Sequence, residues 1–350
     1  MSYSVPASAD DRHPRTAHPD PSRSERVQIF ALPTRTMYGS LRFSWLSYLG
    51  LAEQQHAAQL PTPTAAVSYM STQALMRAIA ATRRNVPSSA ASEIEVDRTC
   101  TLCTSGKKHG KPRIAGVNFN MSQVHPLVVG AFSRNPELTL GVDVETLEAR
   151  LFSGFARLAL SDEERSFHEG VAQERPASSL HILSLALWTA KEAVLKATGY
   201  GLSVVPALVH VEFTEDLLDA IEQAMSEELP DPANIPPEDT LLPGGALPDD
   251  THTGGPAGQT AASTLHVLSG PPLTTRATFS APEGVGGSVE RRFALQWIPT
   301  ALPDTEHPEH EQRMLIALAV EDPAEGIPAH IEAQLLPVET PLQLKYLLAD

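Results

Sequence analysis

Two carboxylates separated by a single residue, Asp143 and Glu145, sit in the stretch LGVDVE, Leu140 to Glu145. Apolar and acidic residues alternate there as they do in a strand, whose side chains point to opposite faces in turn. Leu140, Val142 and Val144 then face a core, while Asp143 and Glu145 share the other side. Two carboxylates so placed can share one divalent cation, and oxygen-only donors suit Mg²⁺ bridged to a phosphate. The same alternation also describes a solvated edge strand. A second group lies in LWTAKEAVLKATGYGL, Leu187 to Leu202, where Trp188, Glu192 and Lys196 follow one another at four-residue spacing on one helical stripe. An acid and a base beside an aromatic mark a polar site bordered by packing. Glu and Lys at that spacing are equally an ordinary helix ion pair.

Three further features have the same double character. Lys107, Lys108, Lys111 and Arg113 crowd a loop containing Gly106 and Gly110, which suits phosphate binding or a plain solvated loop. In FNMSQVH, Phe119 to His125, the residues Asn120, Ser122, Gln123 and His125 cluster near a strand end, as ligand contacts or as a polar turn. Ser161 and Glu164 form the capping-box pattern of a helix start, a structural role that competes with any role for Glu164 in a site. The two cysteines, Cys100 and Cys103, form a C-x-x-C pair with His109 close by. No second pair exists to complete a zinc site, and the loop-like flanks do not fit a redox motif, so structural or incidental cysteines are expected, with a metal or redox role as the alternatives.

Strands are expected at Val27–Leu32, Val117–Ser122, Leu127–Ser133, Leu138–Glu145, Leu202–Phe213, Arg292–Ile298 and Arg313–Val320. Helical spacing marks Ala65–Arg84, Thr146–Leu160, Ser161–Glu169 and Leu180–Thr198, the last ending at Gly199, with a short helix at Leu217–Met225. The polar, Ser- and Pro-rich residues 1–25 lack an apolar segment and read as a disordered leader rather than a secretory signal. Residues 227–287 are dense in Pro, Gly, Thr and acids and read as a loosely packed acidic insertion. Residues 321–350 read as a tail with a weak docking segment.

A net charge of −16 argues against a nucleic-acid partner. The excess is uneven: no Lys or Arg occurs between Lys196 and Arg276, and twelve acidic residues fall between Glu212 and Asp250. No run of about 18 apolar residues is present, so no membrane helix is expected. A cytoplasmic protein is the expectation.

Taken in order, GKPRI, FNMS, GVDVE and WTAKEAVLKATGYGL resemble the 4′-phosphopantetheinyl transferase superfamily, and are most similar to its two-lobed, surfactin-synthetase-activating type. The clear resemblance covers Arg98 to Leu202. It implies an α+β fold of two pseudo-symmetric lobes, residues 26–139 and 140–320, each a small antiparallel sheet packed with helices. It also implies a monomeric enzyme that moves the 4′-phosphopantetheine of coenzyme A to a serine of an apo carrier protein (acyl, polyketide or nonribosomal peptide). The by-product is 3′,5′-ADP and the cofactor is Mg²⁺. Under the resemblance Asp143, Glu145 and Glu192 hold Mg²⁺. Lys196 contacts the pyrophosphate and assists departure of 3′,5′-ADP, and Glu192 is one choice of base for the serine. Lys111 and Pro112 of GKP bind coenzyme A, Ser122 sits at the nucleotide, and Glu164 matches an acidic residue of a middle motif. One departure stands out: Gln123 occupies a place where the family usually has histidine. It motivates the alternative of a non-catalytic homologue that binds coenzyme A or a carrier protein.

Overall fold

The computed structural model describes residues 25–38, 42–100, 110–227, 265–268, 270, 272–280, 289–303, 310–322 and 331–349. The leader apart from Glu25, Cys103, His109, Lys107 and Lys108 lie outside the described residues. The fold is mixed α+β, with two sheets, largely antiparallel, each packed with helices.

The chain begins with β1 (Glu25–Pro33), two short helices α1 (Arg42–Leu46) and α2 (Leu51–Ala57), and the long α3 (Pro63–Arg83). Thr62 caps α3 by accepting from the Ala65 amide, and Pro63 takes the first turn, where its missing N–H costs nothing. Then come β2 (Asn118–Val124), β3 (Leu127–Ser133) and β4 (Leu140–Thr146). The helices α4 (Phe155–Ala159), α5 (Asp162–Glu174) and α6 (Ala177–Thr198) follow, and α6 stops at Gly199, whose φ of 82° is left-handed. The rest comprises β5 (Val209–Val211), α7 (Glu215–Ser226), β6 (His266–Val267), β7 (Leu273–Ser280), β8 (Glu290–Pro303), β9 (Glu311–Glu321), β10 (Ile331–Pro337) and α8 (Pro341–Ala349).

The first sheet has the order β10-β1-β3-β2 and the second β4-β9-β8-β7-β5, with β6 also on β8. Strand alternation sorts the apolar residues into three clusters. Phe30, Leu32, Val128 and Phe132 pack with α3 residues such as Leu75 and Ile79. Val27, Ile29, Val129 and Ala131 meet Leu140, Val142, Ile316 and Leu318 between the sheets. On the far side of the second sheet, Leu315, Ala317 and Ala319 pack with Leu187, Ala190 and Val194 of α6. The face expected for Leu140, Val142 and Val144 is therefore the one observed.

Four expectations change. Residues 147–154 form turns and irregular chain rather than helix, so only α4 remains of the helix at 146–160. Of the strand at 202–213 only β5 forms, after two 3-10 turns. The loosely packed segment at 227–287 contains β6 and β7, whose Leu273, Ala277 and Phe279 are buried in the core. Long-range pairing with β8 overrides its turn-rich composition. The tail also differs: β10 lies parallel to β1, and Trp45 donates to the Glu339 carbonyl at 2.8 Å, so 331–349 completes the first sheet. Among the described residues no helix is long and apolar enough to cross a membrane.

At Gly141, β4 runs directly against α6, and a Cβ there would stand 2.1 Å from the Ala193 carbonyl oxygen. Gly141→Ala must push the strand off the helix and is expected to cost ~3 kcal/mol or more. Urea unfolding checks this; an unchanged midpoint would show that β4 and α6 are not so tightly apposed.

Candidate active site

β4 and β2 are edge strands of their respective sheets and lie next to each other. On β2 the polar residues Asn118, Asn120 and Ser122 alternate with Phe119 and Met121, which belong to the α3 core. The polar face meets β4. Asn118 donates to the carbonyls of Asn135 and Leu138 at 2.7 Å each, fixing the turn that leads into β4. Asn120 accepts from the Val142 amide at 3.0 Å, and Ser122 donates to Asp143 Oδ1 at 2.8 Å.

Asp143 and Glu145 leave β4 on the side of α6, as the alternation predicts. Lys196 of α6 reaches Asp143 Oδ1 at 2.5 Å and Ser122 Oγ at 2.8 Å. Glu145 accepts from Trp188 Nε1 at 3.2 Å, and the indole packs edge-on against Phe152 and Phe155. Asp143, Glu145, Trp188, Glu192 and Lys196 line a cleft of about 680 Å³ together with Pro112, Ser122 and Gln123.

The electrostatics of this wall are unbalanced. Glu192 is pushed up to about 7, first by burial and then by Asp143, with Glu145 adding to it against the pull of Lys196. Glu145 is raised too, by burial and by Asp143. Asp143 Oδ2 and Glu192 Oε1 are buried and have no protein partner. Hard oxygens in this state fit a hard divalent cation, which Asp143, Glu145 and Glu192 could hold. Among the described residues no three acidic or imidazole groups are drawn into a preformed cage.

Of the other sequence candidates, Pro112, Ser122 and Gln123 line the cleft, and Glu164, Lys111 and His125 do not. Glu164 does not line the cleft. Its carboxylate accepts from the Ser161 amide and Lys191 Nζ at 2.7 Å and from the Val211 amide at 2.8 Å, the last two bonds being buried. Lys191 is the fully buried partner and also donates to the carbonyls of Pro206 and Val209. This network ties α5, α6 and β5 together and absorbs the capping-box reading. Lys111 donates to the carbonyls of Leu140 at 3.1 Å and Ala197 at 3.3 Å. Burial lowers its pKa to about 8, helped by Arg291 and Arg113. Gln123 lines the cleft and accepts from the Thr72 hydroxyl. His125 does not: its Nδ1 shares a hydrogen bond with Thr34 at 3.1 Å.

The opposite wall consists of residues that the motifs did not single out: His56, Tyr69, Thr72, Gln73, Met76 and Arg98. Arg98 donates to Gln73 at 3.0 Å. Tyr69, Thr72, Gln73 and Met76 recur at i, i+3, i+4 and i+7 on α3, a stripe that marks one helical face and would have found this wall.

Glu192 makes a pH dependence. A carboxyl whose pKa is higher folded than unfolded adds stability that is full below about 4.5 and is lost as the pH rises through about 7. Without divalent cations, Glu192→Gln should therefore gain on the native sequence over that window, by at most about 3 kcal/mol. Unfolding free energies at a series of pH values test it; a constant difference would refute the raised pKa.

Comparison with known proteins bears on the segment that carries the acidic wall. No curated protein matches the sequence. Residues 139–233 match the model of a family described as the 4′-phosphopantetheinyl transferase superfamily. The match spans β4 and α4 to α7, and so contains Asp143, Glu145, Trp188, Glu192 and Lys196. This segment, which carries the acidic wall of the cleft, is similar to the 4′-phosphopantetheinyl transferase superfamily.

Proposed function

We propose that the protein transfers 4′-phosphopantetheine from coenzyme A to a serine of an apo acyl, polyketide or nonribosomal peptide carrier protein, releasing 3′,5′-ADP in a Mg²⁺-dependent reaction. What carries the reading is the meeting of Asp143, Glu145 and Glu192 with the Lys196 ammonium in one cleft, inside the segment that matches the superfamily. Mg²⁺ keeps several waters and is commonly held by one or two carboxylates plus phosphate oxygens, so a preformed protein cage is not required. Asp143, Glu145 and Glu192 are the residues to hold it. When bound, the ion supplies positive charge to the phosphate oxygens.

In this reading the carrier serine oxygen bonds to the β-phosphorus while the bond from that phosphorus to the 3′,5′-ADP oxygen breaks. Lys196 meets the negative charge that develops on the departing oxygen. The serine proton needs an acceptor, and the Glu192 carboxylate, whose Oε1 has no protein partner, is one choice. Ser122, Gln123 and Pro112 border the cleft where the nucleotide would lie. The two sheets with their helices act as two lobes, 26–139 and 140–320, with 331–349 returning to the first. One chain supplies both walls, which supports a monomer, and a cytoplasmic site of action goes with carrier-protein chemistry.

Intact-mass spectrometry of apo carriers incubated with the protein, coenzyme A and Mg²⁺ tests the reading. A gain of one phosphopantetheine per carrier is expected. Asp143→Ala, Glu145→Ala and Glu192→Ala should each slow it by about a hundredfold while leaving the fold intact. Near-full activity in two of the three would refute the metal assignment. Coenzyme A binding without transfer to any carrier would favour a non-catalytic homologue.

Gln123 separates the readings further. Its neutral amide offers a weaker hydrogen bond to phosphate than a protonated imidazole does. Gln123→His should tighten coenzyme A binding by about fivefold, or ~1 kcal/mol, without altering carrier affinity. Unchanged coenzyme A binding would place the nucleotide away from β2.

A further inference from the structure

β4 bonds to β9 along one side only, through residues 139, 141, 143 and 145. The backbone groups of Leu140 and Val142 therefore point to the free edge. An open edge would leave buried groups unpaired, since Leu140 and Val142 are fully buried. Side chains from the first sheet's half of the chain close it. Lys111 donates to the Leu140 carbonyl, and Asn120 accepts from the Val142 amide.

The same two side chains also reach the end of α6. Lys111 donates to the Ala197 carbonyl at 3.3 Å, and Asn120 Nδ2 to the Lys196 carbonyl at 3.5 Å. These are among the last carbonyls of the helix, which lack partners within it and carry its negative pole. Among the described residues Lys111 has no carboxylate at ion-pair distance, and its charged neighbours are the cations Arg291 and Arg113. Each latch residue thus spans β4 and α6. Asn120 does so right beside the reacting groups, at the amide preceding Asp143 and at the carbonyl of Lys196 itself.

We propose that Lys111 and Asn120 are positioning residues, a latch that ties the free edge of β4 to the last turn of α6 and so sets Asp143 against Lys196. The proposal rests on the transferase reading for its kinetic consequence. It departs from the role that the resemblance gives Lys111, that of a coenzyme A ligand. Lys111 borders a second cavity of about 380 Å³ that also reaches Lys196, so the two roles must be told apart by experiment.

The test compares Lys111→Met, Lys111→Gln and Asn120→Leu with the native protein by calorimetry with 3′,5′-ADP and, separately, with Mg²⁺, and by carrier-modification kinetics. A latch predicts 3′,5′-ADP affinity within about twofold for all three, with Mg²⁺ affinity and kcat lowered about tenfold or more in Lys111→Met and Asn120→Leu. Lys111→Gln should recover part of that loss, because carbonyls need a donor rather than a charge. The double variant Lys111→Met with Asn120→Leu should fall short of the product of the single effects. A tenfold loss of 3′,5′-ADP affinity in both Lys111→Met and Lys111→Gln, with kcat retained, would make Lys111 a phosphate ligand and overturn the latch. So would unchanged values throughout. If the native protein modifies no carrier, the transferase reading fails. The latch is then still decided by Mg²⁺ affinity and by amide exchange at Val142, which must quicken in Asn120→Leu.

Discussion

The close passage of β4 over α6 governs the rest of the site. With no side chain at position 141, the strand lies on the helix backbone, and every second residue of β4 is delivered to the same helix face. Asp143 and Glu145 thus arrive opposite Glu192 and Lys196 without help from any loop. A site built on a strand and a helix, both pinned in packed cores, holds its geometry better than one carried on loops. The apolar partners Leu140, Val142 and Val144 fix the register, because a slip of one residue would turn the carboxylates into the layer between the sheets.

That arrangement carries an electrostatic cost. Three carboxylates line one wall with a single ammonium among them, and burial strengthens their mutual repulsion. Glu192 responds by holding its proton to about 7, and two carboxylate oxygens stay without a protein partner. Groups left unsatisfied in a packed interior are uncommon, and they concentrate where a ligand completes them. The buried Glu164 and Lys191, by contrast, are hydrogen-bonded to each other and to the backbone. The contrast separates an ion pair that holds the fold from a carboxylate cluster whose oxygens lack full protein partners.

Much of the acidic wall was legible in the sequence, because it depends on short-range periodicity. The alternation in LGVDVE and the stripe Trp188, Glu192, Lys196 each describe one element, and a single residue spacing decides what faces where. Where partners are distant in sequence the reading fell short. The turn-rich stretch around Leu273 became β7 through pairing with β8, and β10 reached β1 across nearly the whole chain. Lys111 lay in a loop whose composition fitted phosphate binding, yet its ammonium meets two backbone carbonyls that no local pattern announces. Glu164 carried both a capping-box signal and a family match; in the fold it completes the capping box and pairs with Lys191.

If the carboxylate wall is a cation site, binding must displace the proton that Glu192 retains near neutrality. Calorimetric titration of Mg²⁺ into the protein at pH 7, in buffers of differing ionisation enthalpy, counts the protons released. The account predicts saturable binding with release of a substantial fraction of one proton, and loss of both the release and most of the affinity in Glu192→Gln. Absence of Mg²⁺ binding, or binding with no proton released and no dependence on Glu192, would contradict it.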